Sequence, residues 1–188
     1  MNYQKIIVPY LGNTKIEKET GRFREKFWDD NVPVDIEFII DVKLRVNVIP
    51  IPSFLKLANI DALITSDWKS IYVDRDEYLD ERRHNRLRFS LAHEIGHFVL
   101  HKKIYSNFNI KNLEDYYKFN KDIPQKQYSY LETQANKFAN YLLVPRRALM
   151  IEREKELKKK GSPAWFDKVD TKTFEVVTIA LNDLNNKI

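Results

Sequence analysis

His93, Glu94 and His97 fall in the order His-Glu-x-x-His within His93-Glu94-Ile95-Gly96-His97. On an α-helix, positions i and i+4 stand one above the other on the same face. Two imidazoles so placed can hold one zinc ion, and a glutamate beside the first can reach a water that the ion activates. Bound zinc lowers the pKa of that water from about 16 to about 7. The glutamate is then a general base that takes the water's proton and passes it to a leaving amine. These residue types at this spacing point to metal-assisted hydrolysis of a peptide bond. The pentapeptide fixes only three positions, so a chance match on a solvated helix has to be weighed. Phe89-Ser90-Leu91-Ala92 precedes it and Phe98-Val99-Leu100 follows. At about 100° per residue, the apolar side chains cover nearly every direction except that of His93, Glu94 and His97, which is the pattern of a buried helix. Buried polar groups are costly unless paired or bound to metal. Three of them converging on one face of such a helix argue for zinc.

A catalytic zinc usually takes three protein ligands and leaves a fourth position open. The chain has no cysteine, and its histidines are His84, His93, His97 and His101. His101 continues the i, i+4 series, but it lies about 12 Å from His93 along a straight helix. Both cannot reach one ion. A third histidine six residues after the second, brought in by a helix break at glycine, is excluded because position 103 is Lys103. His84 sits in the charged run Asp80-Glu81-Arg82-Arg83-His84 and reads as a solvated surface residue. A carboxylate remains. Tyr130 to Pro145 forms an amphipathic pattern with Leu131, Ala135, Phe138, Tyr141 and Leu142 at helical spacing. Pro145 stops it. Glu132 and Asn136 share one face of that helix. Glu132 can complete a two-histidine, one-glutamate site, and Asn136 can hydrogen-bond a ligand histidine from behind. Without the first motif, Glu132 would read as an ordinary solvated helix glutamate.

The segment Arg88-Phe89-Ser90-Leu91-Ala92-His93-Glu94-Ile95-Gly96-His97-Phe98-Val99-Leu100-His101 is followed by Glu132-xx-Ala135-Asn136-x-Phe138-Ala139-xx-Leu142-Leu143-x-Pro145. Together these blocks resemble the ImmA/IrrE family of bacterial metallo-endopeptidases. They span residues 88–145 and are far more specific than His-Glu-x-x-His alone. Ser70 to Asp74 is similar to the short strand that precedes the motif helix in that family. The resemblance implies a zincin-like fold, with His93, His97 and Glu132 as zinc ligands and Glu94 as the catalytic base. It also implies cleavage of a repressor or other regulator. A helix-turn-helix repressor encoded nearby is the expected partner.

The remaining composition sets bounds. At 188 residues, with 43% hydrophobic and 13% aromatic residues, the chain is long enough for one well-packed domain over 1–188. No apolar run approaches the ~18 residues of a membrane span. Absence of cysteine excludes a disulfide framework, and the start, Met1-Asn2-Tyr3-Gln4-Lys5, lacks the apolar stretch of a signal peptide. A cytoplasmic protein is the expectation. The net charge is +5. Its densest run, Lys155-Glu156-Leu157-Lys158-Lys159-Lys160, has mixed signs and reads as a solvated helix face. No helix-turn-helix signature stands out, which argues against direct nucleic-acid binding.

To position these residues, the sequence offers the following elements. Lys5 to Tyr10 is β-prone. Thr14 to Asp29 reads as a helix with Thr14 and Glu17 as a capping box, and Val34 to Val42 as a second helix. Arg45 to Ile51, Asp61 to Thr65 and Ser70 to Asp74 read as strands, the last two joined by a turn at Ser66–Lys69. Arg83 to Lys103, Tyr128 to Val144, Arg146 to Lys160 and Thr171 to Asn185 read as helices. Residues 104–127 are either a lid or a packing segment. Strands cluster before helices, so the fold class is α+β, expected as a small, mostly antiparallel sheet against a helical bundle. A peptide substrate is most simply held along an exposed sheet edge. Ile71, Tyr72 and Val73 run directly into the motif helix and are the candidate edge; an interior strand is the alternative. A second functional reading keeps the metal but makes it structural, in a module that binds a regulator without cutting it.

Overall fold

The computed structural model describes residues 3–29 and 31–160. α1 (Asn13–Phe27) follows Gly12, which stands at the N-cap with no side-chain cap, so the capping box expected at Thr14 does not form. α2 (Ile36–Phe38) is capped by Asp35, whose carboxylate accepts from the Phe38 N–H, and it continues into a π-helical turn, Ile39–Leu44. The strand region follows as β1 (Asn47–Ile51), α3 (Phe54–Ala58), β2 (Ala62–Ile64) and β3 (Ser70–Asp74). The chain then turns helical: α4 (Arg75–Leu79), α5 (His84–Leu100), α6 (Lys102–Tyr105), α7 (Leu113–Asp122), α8 (Gln125–Leu143) and α9 (Arg146–Lys160). The fold is α+β, mostly helical, with one small sheet among the described residues.

The sheet order is β1-β3-β2. β2 and β3 pair antiparallel through a turn in which Asp67 accepts from the Thr65 hydroxyl and the Lys69 N–H. β1 pairs with β3 in parallel, so the sheet is mixed, with one pairing of each kind. This corrects the role expected of Ile71, Tyr72 and Val73. They lie on the central strand, with β1 on one side and β2 on the other, and their backbone groups have ladder partners on both flanks. Ile71 and Val73 are buried, and their β-branched side chains suit a strand paired on both sides. Pairing with substrate is therefore closed to them. The β-prone run Lys5–Tyr10 joins no strand either. After a single 3-10 turn, Tyr3–Lys5, it runs alongside α8, where the Val8 N–H donates to Gln127 Oε1 at 2.6 Å.

The core forms where α5 meets α8. Leu91, Ala92 and Ile95 from one helix and Ala135, Phe138, Ala139 and Leu142 from the other are each at most 1% exposed. α1 closes over this pair, and Arg24 of α1 donates to the Leu142 carbonyl at 2.7 Å, satisfying one of the open acceptors at the end of α8. Residues 104–127 fold as a packing segment. Tyr116 and Phe119 of α7 are buried, and the Phe119 ring packs on Tyr3 and Phe108 with centroids 5.3 and 4.7 Å away.

Contacts within the chain group into two compact units, Met1–Leu143 and Val144–Ile188. The first holds the sheet and both motif helices. Of the second, α9 is described. The loop at 162–170 and the final helix Thr171–Asn185 expected from sequence lie outside the described residues. No helix among the described residues is long and apolar enough to cross a membrane.

Candidate metal centre

The site forms because α5 and α8 approach unusually closely at one point. A Cβ on Gly96 would lie 3.0 Å from both Cα and O of Ala135 and 3.2 Å from Phe138 Cβ. A Cβ there would be tighter than nearly all real contacts, so glycine lets the two backbones come this close without displacement. Gly96 stands beside His97, and Ala135 beside Asn136 and one turn from Glu132. The close crossing therefore brings the polar residues of the two helices together.

Three donor groups converge. His93 Nε2 and His97 Nε2 are 2.9 Å apart. Glu132 sets Oε2 3.4 Å from His93 Nε2 and Oε1 3.6 Å from His97 Nε2. Ligand atoms on bonds of about 2.0–2.1 Å in a tetrahedral shell lie roughly 3.3 Å from one another, so these spacings fit one zinc-sized ion. His93 Nδ1 meets Asn136 Oδ1 at 2.8 Å. A carbonyl oxygen accepts, so that ring carries its proton on Nδ1 and turns the Nε2 lone pair toward His97 and Glu132.

Glu94 lies within 4.8 Å of both histidine donor atoms, and His93, Glu94 and His97 form a group that could hold a metal ion. Proximity alone thus leaves two carboxylates as candidates for the third ligand. They differ in commitment. Glu94 Oε2 accepts from the Ile64 N–H of β2 at 2.7 Å, whereas Glu132 spans both imidazoles. Burial pushes the Glu94 carboxyl up to about 7, with His93 and the Ile64 N–H pulling the other way. Burial disfavours a charged His93, but the Glu132 hydrogen bond and the charges of Glu94 and Glu132 outweigh it and raise His93 to about 9. His97 is held well below the ordinary histidine value by burial and by His93 and His101.

β2 borders the same site as an edge strand that, among the described residues, pairs with a strand on one side only. Thr65 N–H donates to Ser70 O at 2.9 Å, and Asp74 N–H to Asp61 O at 3.3 Å. By antiparallel alternation, Asp61, Leu63 and Thr65 face β3, while Ala62 and Ile64 turn their N–H and C=O outward. A cavity of about 200 Å³ opens there, lined by Ala62 and Leu63 together with His93, Glu94, His97 and Glu132. Tyr105, Tyr116 and Tyr128 supply part of its wall. Tyr116 and Tyr128 share a hydrogen bond of 3.1 Å. The Tyr105 ring stacks 5.4 Å from His97; Tyr105 is 5% exposed, and its hydroxyl has no hydrogen-bond partner among the described residues.

His93, Glu94, His97, Glu132 and Asn136 are thus brought together from the two motif helices, while Ile71, Tyr72 and Val73 are not part of the site. His84 is exposed beside Glu37, apart from it. His101 stands behind His97, Nδ1 to Nδ1 at 3.0 Å. The contributions of Tyr105 and of the β2 edge were not legible in the sequence. The one signal for the tyrosine was a phenol one turn past His101, within an aromatic-rich stretch.

A family model described as the IrrE N-terminal-like domain, a peptidase family, matches residues 70–174. No curated protein matches the chain. The matched stretch covers more than half of the chain and contains β3 and both motif helices, with every donor of the converging cluster inside it. With His93, Glu94 and His97 placed where they could hold a metal ion, the chain belongs to the IrrE N-terminal-like peptidase family.

Proposed function

We propose that this chain is a zinc-dependent endopeptidase that cleaves a cytoplasmic regulator, with a helix-turn-helix repressor encoded nearby as the substrate. The single observation that carries the reading is the convergence of His93 Nε2, His97 Nε2 and the Glu132 carboxylate at 2.9, 3.4 and 3.6 Å. His93, His97 and Glu132 would hold the ion, and Asn136 would orient His93. Zinc, when bound, supplies Lewis acidity toward a water and toward the scissile carbonyl.

The chain's own groups do the rest. Substrate lies extended along the outer edge of β2, pairing with the Ala62 N–H and C=O. Glu94, buried and with its pKa near neutrality, takes a proton from the attacking water as the new C–O bond forms. The carbonyl oxygen gains the negative charge, and the Tyr105 hydroxyl donates to it. Glu94 then delivers its proton to the amide nitrogen as the C–N bond breaks. The Ile64 N–H fixes the carboxylate in place through both steps.

The alternative is a metal-stabilised module that binds a regulator without cutting it. A closed structural zinc takes four protein ligands. Here no cysteine exists, His101 is behind His97 and His84 is remote, which favours an open position. Glu94→Gln separates the two readings. It keeps shape and should leave zinc bound, while cleavage of the repressor falls by about 10²-fold or more. Equal cleavage by wild type and Glu94→Gln would promote the binding module. Full zinc occupancy in Glu132→Ala would sink the ligand assignment.

A further inference from the structure

We propose that His101 and Gln134 are positioning residues for His97, anchored by the N-terminal segment through the backbone carbonyl of Pro9. The proposal rests on His93, His97 and Glu132 being metal ligands.

A continuous line of contacts leads away from the site. His97 Nδ1 lies 3.0 Å from His101 Nδ1. His101 Nε2 lies 3.0 Å from Gln134 Oε1. Gln134 Nε2 donates to Pro9 O at 2.9 Å. The three side chains are 3%, 1% and 3% exposed, so water does not compete for these bonds.

The line has a single consistent polarity. Pro9 O can only accept, so the amide nitrogen of Gln134 must face it. A reversed amide would set two oxygens against each other. Gln134 therefore turns its oxygen to His101 and requires a proton on His101 Nε2. A neutral His101 then presents a bare Nδ1. His97 must donate to it from Nδ1, which leaves the His97 Nε2 lone pair free. That nitrogen is the one facing His93 Nε2 and Glu132. Thus a backbone carbonyl three residues removed in the chain of bonds dictates which nitrogen of His97 can bind a cation. Asn136 does the same for His93 in one step.

The anchor is secured along α8. Val8 N–H donates to Gln127 Oε1 at 2.6 Å, and the Tyr10 ring meets the Tyr130 ring edge-on at 6.0 Å. Residues 8–10 thus run past positions 127, 130 and 134 of α8. Positions 128, 132 and 136, which line the cavity, lie on the adjoining face. Residues 8–10 fall outside the matched stretch 70–174. The metal centre of this chain would depend on a segment outside that stretch.

The test uses the full chain and Zn²⁺ alone. Zinc affinity is measured by chelator competition for wild type and for Gln134→Leu, which keeps size and removes both amide groups. Unfolding of the chelator-treated proteins is followed in parallel. Histidine ¹⁵N spectra of the zinc-loaded wild type report which ring nitrogens carry protons. The expected result is a 10- to 100-fold weaker affinity, the usual effect of losing a group that orients a ligand, together with a folded variant. His97 protonated on Nδ1 and His101 on Nε2 alone is the expected spectrum. Wild-type affinity in Gln134→Leu overturns the proposal. So does a zinc-loaded wild type with His101 protonated on Nδ1, a readout that decides the matter even if Gln134→Leu does not fold. Failure of the wild type to bind zinc would instead remove the metal reading itself.

Discussion

In the proposed reaction Glu94 and Tyr105 divide the chemistry at the smallest scale. One is a base whose burial brings it close to neutrality; the other is a neutral phenol that burial keeps protonated. Tyr105→Phe leaves the ring on His97 and removes only the hydroxyl. Loss of one oxyanion donor costs roughly 10²–10³ in kcat. We expect kcat for repressor cleavage to fall by that order, with KM and zinc content little changed; an unchanged kcat would exclude the phenol from the reaction. A second prediction follows from His93. Its pKa is raised to about 9, against desolvation, by Glu132, Glu94 and Asn136, while burial and the neighbouring His93 and His101 hold His97 well below the ordinary value. A proton held more tightly in the folded state stabilises the fold below the ordinary histidine value and ceases to do so as pH rises through about 9. Glu94 acts in the same direction, since a carboxyl raised to about 7 destabilises the fold increasingly up to that pH. Chelator-treated protein should lose stability between about pH 6.5 and 9, as followed by thermal unfolding. Zinc must displace the His93 proton, so zinc affinity should rise across the same interval. An affinity flat in pH would mean His93 is not a ligand.

Between elements, the decisive contact is the crossing of α5 and α8 at Gly96. Its neighbours at 3.0 Å are backbone atoms of Ala135, which have no rotamer by which to move aside. Gly96→Ala must push the helices apart. In a helix alanine is intrinsically favoured over glycine by about 1 kcal/mol, but overpacking a tight core costs about 1–3 kcal/mol. We expect a net loss of stability, measured by denaturant unfolding. We also expect a loss of zinc affinity, because Glu132 and Asn136 retreat with α8. A more stable Gly96→Ala with unaltered zinc binding would show that the crossing is not tight. The sheet contributes at the same scale through its order. With β1 on one flank, β3 can serve only as scaffold, and β2 is left to present Ala62 outward and Ile64 to Glu94.

Taken as a whole, the first compact unit is a core whose centre is polar. His97, Glu94, His101 and Gln134 are all under 6% exposed amid apolar side chains. Such a centre is held by bonds rather than by apolar contact, and a bound ion should stabilise it strongly. Binding restricted to the folded state adds about 2.7 kcal/mol at a free ligand concentration of 100 Kd. Thermal unfolding with excess zinc should therefore occur well above that with chelator, and Glu94→Gln should keep this difference while Glu132→Ala loses most of it. Equal unfolding temperatures with and without zinc would argue that the ion does not bind at the crossing.

That His93, Glu94, His97, Glu132 and Asn136 would share two helix faces could be read from the chain alone because it is carried by local periodicity. Residues four apart on a helix share a face in any fold, and the apolar residues around them mark that face as buried. Local pattern likewise gave α5, α8, β2 and β3 to within three residues at each end. What depends on partners far along the chain could not be read this way. An apolar, β-branched strand has the same sequence at an edge or in the interior, so the position of Ile71, Tyr72 and Val73 waited on β1. A β-prone run has the same sequence whether it pairs with a strand or with glutamines, so residues 5–10 waited on α8. His101 looked redundant because its use depends on Gln134 and Pro9, which are brought to it only when the N-terminal segment lies along α8.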